Sequence, residues 1–300
     1  MRSPRRRRTA LLLALPLAVA PLATCGTEEA SAAEIVRAAP AATVEATTAR
    51  MAFEISMPGM PNMGGDAALT GTGAMDFERE IGSMTFDLGP IAEASGEPLP
   101  PGTPTEMEMV FEGTTYYMRF PMLAEALGPE AAGKEWVKID AAAMAGDAGL
   151  DLGQLDRLGN DPRQQLAYLT GVSDHIEEVG EEEIRGERTT RYTGTVTMDA
   201  VLEQLEREEL VDVDQFRRQV EELGIDEMAF DVWIDDEGRA RRMEMAVPMP
   251  PQAGVAGGEV QMAIEMFDFG EAVDVAAPPA DAVFDMTQMV RDQAAAAQGG

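Results

Sequence analysis

Apolar residues in this chain recur at every second position over many short stretches. Met51, Phe53, Ile55 and Met57 alternate with Ala52, Glu54 and Ser56. A period of two is the signature of a strand with one face buried and the other wet. The pattern returns from Ala68 to Glu78, where Gly71 and Gly73 permit bending. It returns again at Met84, Phe86 and Leu88, at Met107, Met109 and Phe111, and at Tyr116, Met118 and Phe120. Trp136 to Ile139 is a shorter case. Two further strands, His175 to Ile184 and Arg188 to Met198, meet at Arg185-Gly186. In the last third, Met228 to Ile234 leads through the turn Asp235-Asp236-Glu237-Gly238 to Met243, Met245 and Val247, and Val260 to Met266 follows. About ten strands with clean alternation predict an antiparallel sheet with one apolar and one wet face.

Helical periods lie before and between these strands. Glu34 to Thr48 is Ala-rich, carries Ile35, Val36 and Val44, and is broken or kinked by Pro40. Asp161-Pro162 opens a helix through Leu166 and Leu169, with Asp as cap and Pro in the first turn. Asp199 caps another through Leu202 and Leu205. Asp214 begins a third, with Phe216, Val220 and Leu223 on one stripe. Gly89 to Thr103 and Ala141 to Gly159 read as surface loops, and residues 286–300 as a flexible tail.

The chain has 54 acidic residues against 23 Lys and Arg, a net charge of −31. Such a surface excludes phosphate-directed nucleic-acid binding and is repelled by anionic lipid. Five of the arginines, Arg2 and Arg5 to Arg8, precede the apolar run Leu11 to Ala20. That run is too short to span a bilayer and reads as the core of a secretory signal. It is followed by Leu22-Ala23-Thr24-Cys25, which holds the only cysteine of the chain. This segment resembles the lipobox of bacterial lipoproteins. The resemblance implies acylation of Cys25, removal of residues 1–24, and a short tether over 25–33. Membrane attachment is then through the acyl chains on the extracytoplasmic face of the cell membrane.

Little in the chain points to catalysis. His175 is the only histidine, no Gly-x-Ser-x-Gly is present, and acid pairs are too numerous for one to stand out. With one histidine, and no cysteine apart from the expected anchor Cys25, His-rich zinc sites and Cys–His catalysis are excluded as well. The reading is a non-enzyme without cofactor. Methionine is the anomaly, at 21 residues. Met57, Met60 and Met63 form a thioether cluster of the kind that can hold Cu(I). Most of the other methionines sit on the buried strand face as flexible apolar filler, a composition suited to a pocket for apolar ligands and equally to a packed core. The expected pocket residues are Phe53, Ile55, Met75, Met109, Phe111, Met118, Phe230 and Met245.

Several local motifs, in their order, resemble the LppX/LprG-type envelope lipoproteins of actinobacteria, related in fold to the LolA/LolB carriers. They are Gly133-Lys134-Glu135-Trp136-Val137-Lys138-Ile139-Asp140, Asp161-Pro162 with Leu166 and Leu169, Tyr192-Thr193-Gly194-Thr195-Val196, and Val232-Trp233-Ile234-Asp235 with Gly238 and Arg239. Phe267 to Pro279 resembles the closing strand of the family. The resemblance covers about Glu34 to Asp285. It implies an α+β fold, a curved antiparallel half-barrel with helices over its concave face, in one domain spanning 34–285. It further implies a lipid or other hydrophobic envelope molecule as ligand, held in an apolar pocket. Members that act as sensors on a protein partner give the alternative, a structural or regulatory lipoprotein with a filled core.

Overall fold

The computed structural model describes residues 30–60, 65–94, 104–120, 127, 131–140, 169, 175–200, 202–203, 217–218, 224, 226–249 and 258–287. The lipobox with Cys25, the helix at Asp161-Pro162 apart from Leu169, the stripe of Phe216, Val220 and Leu223, and Met63 lie outside the described residues. The chain divides into two units, Met1–Ala30 and Ser31–Gly300, and every element below belongs to the second.

Helix α1 (Ala32–Glu45) starts earlier than the apolar period suggests, because Ser31 and Glu34 form a capping box. The Ser31 hydroxyl accepts from the Glu34 amide at 3.3 Å, and the Ser31 amide donates to the Glu34 carboxylate at 2.8 Å. The tether expected over 25–33 therefore ends sooner. Pro40 is carried inside the helix and does not end it. Val36, Ala39 and Thr43 form its buried stripe. Thr43 is fully buried; its hydroxyl donates to the Ala39 carbonyl at 2.7 Å and accepts from the Ala240 amide at 3.0 Å.

Twelve strands form one open, curved sheet. They are β1 (Thr48–Met60), β2 (Gly65–Asp76), β3 (Ile81–Asp87), β4 (Glu106–Glu112), β5 (Thr115–Arg119) and β6 (Trp136–Asp140), then β7 (Glu177–Ile184), β8 (Glu187–Thr197), β9 (Glu227–Asp235), β10 (Ala240–Met249), β11 (Gly258–Phe267) and β12 (Val283–Asp285). The spatial order is β12-β6-β5-β4-β3-β2-β1-β11-β10-β9-β8-β7. Two antiparallel meanders, β1 to β6 and β7 to β11, thus join where β1 pairs with β11. The α+β class and the open antiparallel sheet agree with the expectation.

Four details correct it. The segment Gly89–Thr103, read as loop, contains a short helix α2 (Gly89–Ala94). The helix after β8 begins at Met198, and its Ala200 amide bonds the Thr197 hydroxyl at 3.4 Å, so Thr197 takes the capping place given to Asp199. The closing strand expected from Phe267 to Pro279 is instead a turn and an extended strap, and the chain closes with β12, which pairs parallel to β6. Finally, the outer face is not wet throughout. Val273 and Val275 of the strap cover Ile81, Val110, Tyr117 and Trp136 in a small second core.

Candidate functional site

Cross-strand register decides which side chains share a face. Met51 pairs with Met266 and Gly73, Gly73 with Met84, Met84 with Met109, and Met109 with Met118. Five methionines therefore lie in one row across six strands. The next row holds Met107, Phe86, Gly71, Phe53, Ile264, Met243, Val232 and Tyr192. A third holds Leu69, Ile55, Met262, Met245, Phe230 and Gly194. A fourth, at the α1 end, holds Ala49, Met75, Gly82, Phe111, Tyr116 and Ile139. All eight residues expected to form the pocket fall on this one apolar face.

Burial is graded along the strands of that face. At the α1 end Ala49, Met51, Met75, Met84, Met109 and Phe111 are buried, and α1 closes over β9 and β10 through Val36 and Ala39. Leu169, from the middle of the chain, is buried in the same core. At the opposite end Phe53, Ile55, Leu69, Met107 and Met262 are only half-buried, as are Val247 and Val260. Phe230 and Met245 share the row of Ile55 yet are buried, and Met118 is half-buried near the β6 edge. The expected site thus splits into a filled part, with Met75, Met109 and Phe111, and a shelf centred on Phe53 and Ile55. Leu69 and Met262 belong to that shelf. Their alternation was visible in the sequence, but only the pairing with Ile55 brings them there.

Glycines shape the face. A Cβ at Gly71 would overlap the Phe53 ring and the Thr85 carbonyl oxygen. One at Gly82 would overlap the Phe111 ring and approach Met75 Sδ at 2.8 Å. At Gly73 it would meet the Ser83 carbonyl oxygen at 2.6 Å and Met84 Cγ at 3.1 Å. These positions are open so that neighbouring rings and thioethers can lie across the sheet. The Phe53 ring also packs on Phe86, with centroids 4.7 Å apart and planes tilted by 53°.

Charges stand at the rim and on the outer face. A depression of about 330 Å³ over β1, β9, β10 and β11 is lined by Glu54, Asp231, Glu244 and Glu259 with Arg242. Register puts those carboxylates mainly on the outer face, away from the apolar shelf. A second depression of about 450 Å³ at the α1 end is lined by Arg185, Arg239 and Arg241 with Phe267 and Phe269. Arg239 and Arg241 lie over the Phe269 ring at 4.9 and 4.8 Å. Both guanidinium groups also hold Asp235. Burial alone would raise the Asp235 carboxyl, but hydrogen bonds from the Arg239 side chain and backbone and from Arg241 outweigh it and hold the group below the ordinary carboxylate range. Burial pushes the Tyr192 phenol up.

Among the described residues, no group of three or more His, Cys, Asp and Glu is arranged to hold a metal ion, and no helix is long and apolar enough to cross a membrane. Met57 and Met60 stand in β1 where its pairing with β2 shifts register. His175 lies just before β7 and is exposed.

No protein-family model matches the chain. A Streptomyces coelicolor protein whose name calls it a candidate lipoprotein is 26% identical over 255 residues, covering 84% of this chain and 72% of that protein. Among solved structures, Mycobacterium tuberculosis lipoprotein LppX aligns with a TM-score of 0.43 at 13% identity, over 80% of this chain and 98% of LppX. LprF from Mycobacterium bovis aligns with a TM-score of 0.41 at 12% identity, over 83% of this chain and 97% of LprF.

Proposed function

We propose that this protein is a membrane-anchored extracytoplasmic lipoprotein that binds or carries a lipid or another hydrophobic envelope molecule on the apolar face of its sheet. The graded burial of that face carries the reading. A face that served only as core would be sealed along its whole length, whereas here the rows near α1 are filled and Phe53, Ile55, Leu69 and Met262 form a half-open apolar shelf. Apolar concave surface with few polar groups is what a lipid site requires. The shelf takes the acyl chains, the filled end and α1 give the sheet its stability, and no covalent step is involved. Residues 1–24 act as the signal, Cys25 carries the anchor, and the domain that begins with α1 and closes with β12 binds the ligand. The similarity to a protein named as a lipoprotein supports the anchor.

A second reading, a lipoprotein acting through a protein partner, is favoured by one observation. Strand β7 is an outer strand of the open sheet, and its Val179 is 54% exposed.

The test is native mass spectrometry of the full-length chain released from detergent, reading noncovalent lipid adducts, on the parent and on Ile55→Trp. Added bulk in a packed core costs typically about 1–3 kcal/mol, whereas bulk on an open shelf occupies ligand space at little cost. The expected result is a melting temperature close to the parent's with loss of the adduct. An adduct-free parent, with Ile55→Trp unfolded, overturns the carrier reading in favour of the second.

A further inference from the structure

Phe53 stands where the open shelf meets the filled core. It is half-buried, with Ile55 and Leu69 on its shelf side and the fully buried Met51 on its core side. Its ring lies across Gly71, the residue directly opposite on β2, and fills the space a side chain there would take. It is braced by Phe86, which is 2% exposed and shares its row. Behind it the floor continues in glycine and thioether: Gly73 lies opposite Met51, and a Cβ built on Gly73 would come within 3.2 Å of Met51 Cε and 3.1 Å of Met84 Cγ. The barrier on β1 and β2 is therefore one aromatic ring over a bare backbone, backed by the most deformable apolar side chains.

We propose that Phe53 is a specificity-determining residue, the stop that fixes how long an unbranched apolar chain the shelf accepts. The inference rests on the shelf being a ligand site, as argued above, and goes beyond it by assigning chain-length selection to one ring. A chain entering along β1 and β2 passes Ile55 and Leu69 and ends against the Phe53 ring. The reason for glycine at 71 follows from the same arrangement. Any side chain there would lift the ring off the floor and shorten the shelf. With the ring removed, the bare backbone at Gly71 and the thioethers of Met51 and Met84 line a deeper channel. Each further methylene that finds cover in it tightens binding about fourfold.

The probe is an equimolar series of saturated fatty acids from decanoate to tetracosanoate, offered to the full-length chain in detergent and read as adducts by native mass spectrometry. The parent is expected to favour one length, Phe53→Ala a longer one and Phe53→Trp a shorter one. Should Phe53→Ala fail to fold, Phe53→Leu reads the same lengthening with a smaller change in volume. A parent that takes up the series while the folded variants keep its length preference overturns the role of Phe53 and leaves the carrier reading standing. A parent that takes up no member of the series overturns the carrier reading itself, and the stop with it.

Discussion

Asp235 and Arg241 form a buried pair: Arg241 Nε donates to Asp235 Oδ2 over 2.7 Å, and the two side chains are 2% and 9% exposed. Arg239 adds a second guanidinium to the same carboxylate, and the amides of Glu237 and Arg239 donate to its other oxygen at 3.1 and 2.8 Å. The β9–β10 hairpin is thereby built around one carboxylate. Alongside it, the Ala240 amide is held by Thr43 of α1. The sheet end that α1 covers is fixed by polar contacts as well as by apolar ones.

The depressed pKa of Asp235 sets a pH dependence. A carboxyl held lower in the folded state than in the unfolded chain stabilises fully above its unfolded value, about 3.9. That stability is lost as pH falls through the folded value. Asp235→Asn should remove this acid-side slope and destabilise the protein at neutral pH by about 3–5 kcal/mol, since Arg241 would be left buried without its charge partner. Denaturant titrations at neutral pH and at a series of acid pH values measure both. Unchanged neutral stability would show the pair to be dispensable.

Thr43 offers a sharper local test. Thr43→Val keeps the shape but leaves the Ala240 amide without its acceptor, at a cost of about 1–3 kcal/mol. Thr43→Ser restores the hydroxyl and should recover most of the loss. Amide exchange at Ala240 should quicken in the Thr43→Val variant and not in the Thr43→Ser variant. Equal exchange in the two would mean the hydroxyl is not what protects that amide.

Much of this was legible in the sequence, for a definite reason. Alternation is local, so β1, β4 and β9 to β11 announced themselves and their inward faces with them. Depth is not local. Met75 and Ile55 follow the same alternation, yet one is buried and the other half-open, because the filled core under α1 and Leu169 occupies only one end of the face. Strand β12 has three residues, too few to show a period, and its partner Lys138 is 147 residues from Asp285. Val110 and Tyr117 sit at positions that alternation assigns to water; the strap that covers them arrives from far along the chain. In the sequence Asp235 stands out only as a turn residue. Arg239 and Arg241, following it at short range, were the available sign of its buried role.

Gly82 and Phe111 should show strong coupling. A methyl at 82 meets the Phe111 ring and Met75 Sδ, both in the filled end of the face. Gly82→Ala should therefore cost at least the typical 1–3 kcal/mol or so of overpacking. Phe111→Leu alone should also destabilise. In the double variant the smaller side chain makes room for the methyl, so the combined loss should be less than the sum. A double-mutant cycle from chemical denaturation gives the interaction directly. Additive losses would mean the overlap is relieved elsewhere.

Processing at Cys25 can be tested without reference to the ligand. In the proposed reading the acidic surface gives anionic lipid nothing to attract, and attachment would fall to acyl chains on Cys25, worth about 0.8 kcal/mol per buried CH₂. Cys25→Ser should release the protein from the membrane fraction or leave it uncleaved, as read by fractionation and intact mass. A variant that is cleaved normally and stays in the membrane fraction would place the anchor elsewhere.

The β6 edge is guarded by a strand near the end of the chain. Strand β12 covers it with three parallel pairs, and both lysines of the chain help hold it there: Lys134 Nζ donates to the Asp281 carbonyl at 2.7 Å, and Lys138 Nζ to Asp285 at 3.0 Å. The Lys138–Asp285 pair is partly solvent-exposed, so Lys138→Ala alone should cost under about 1 kcal/mol. Removing the strand is a different matter. Truncation after Pro279 bares the backbone groups of Trp136 to Asp140 and uncovers Val137, whose neighbour Met286 is lost as well. An unprotected edge is a template for pairing with another chain. The truncated protein should keep its strand content by circular dichroism yet associate in a concentration-dependent way, as measured by light scattering after size exclusion. If it stays monomeric at every concentration, β12 is an accessory to the fold and not the guard of its edge.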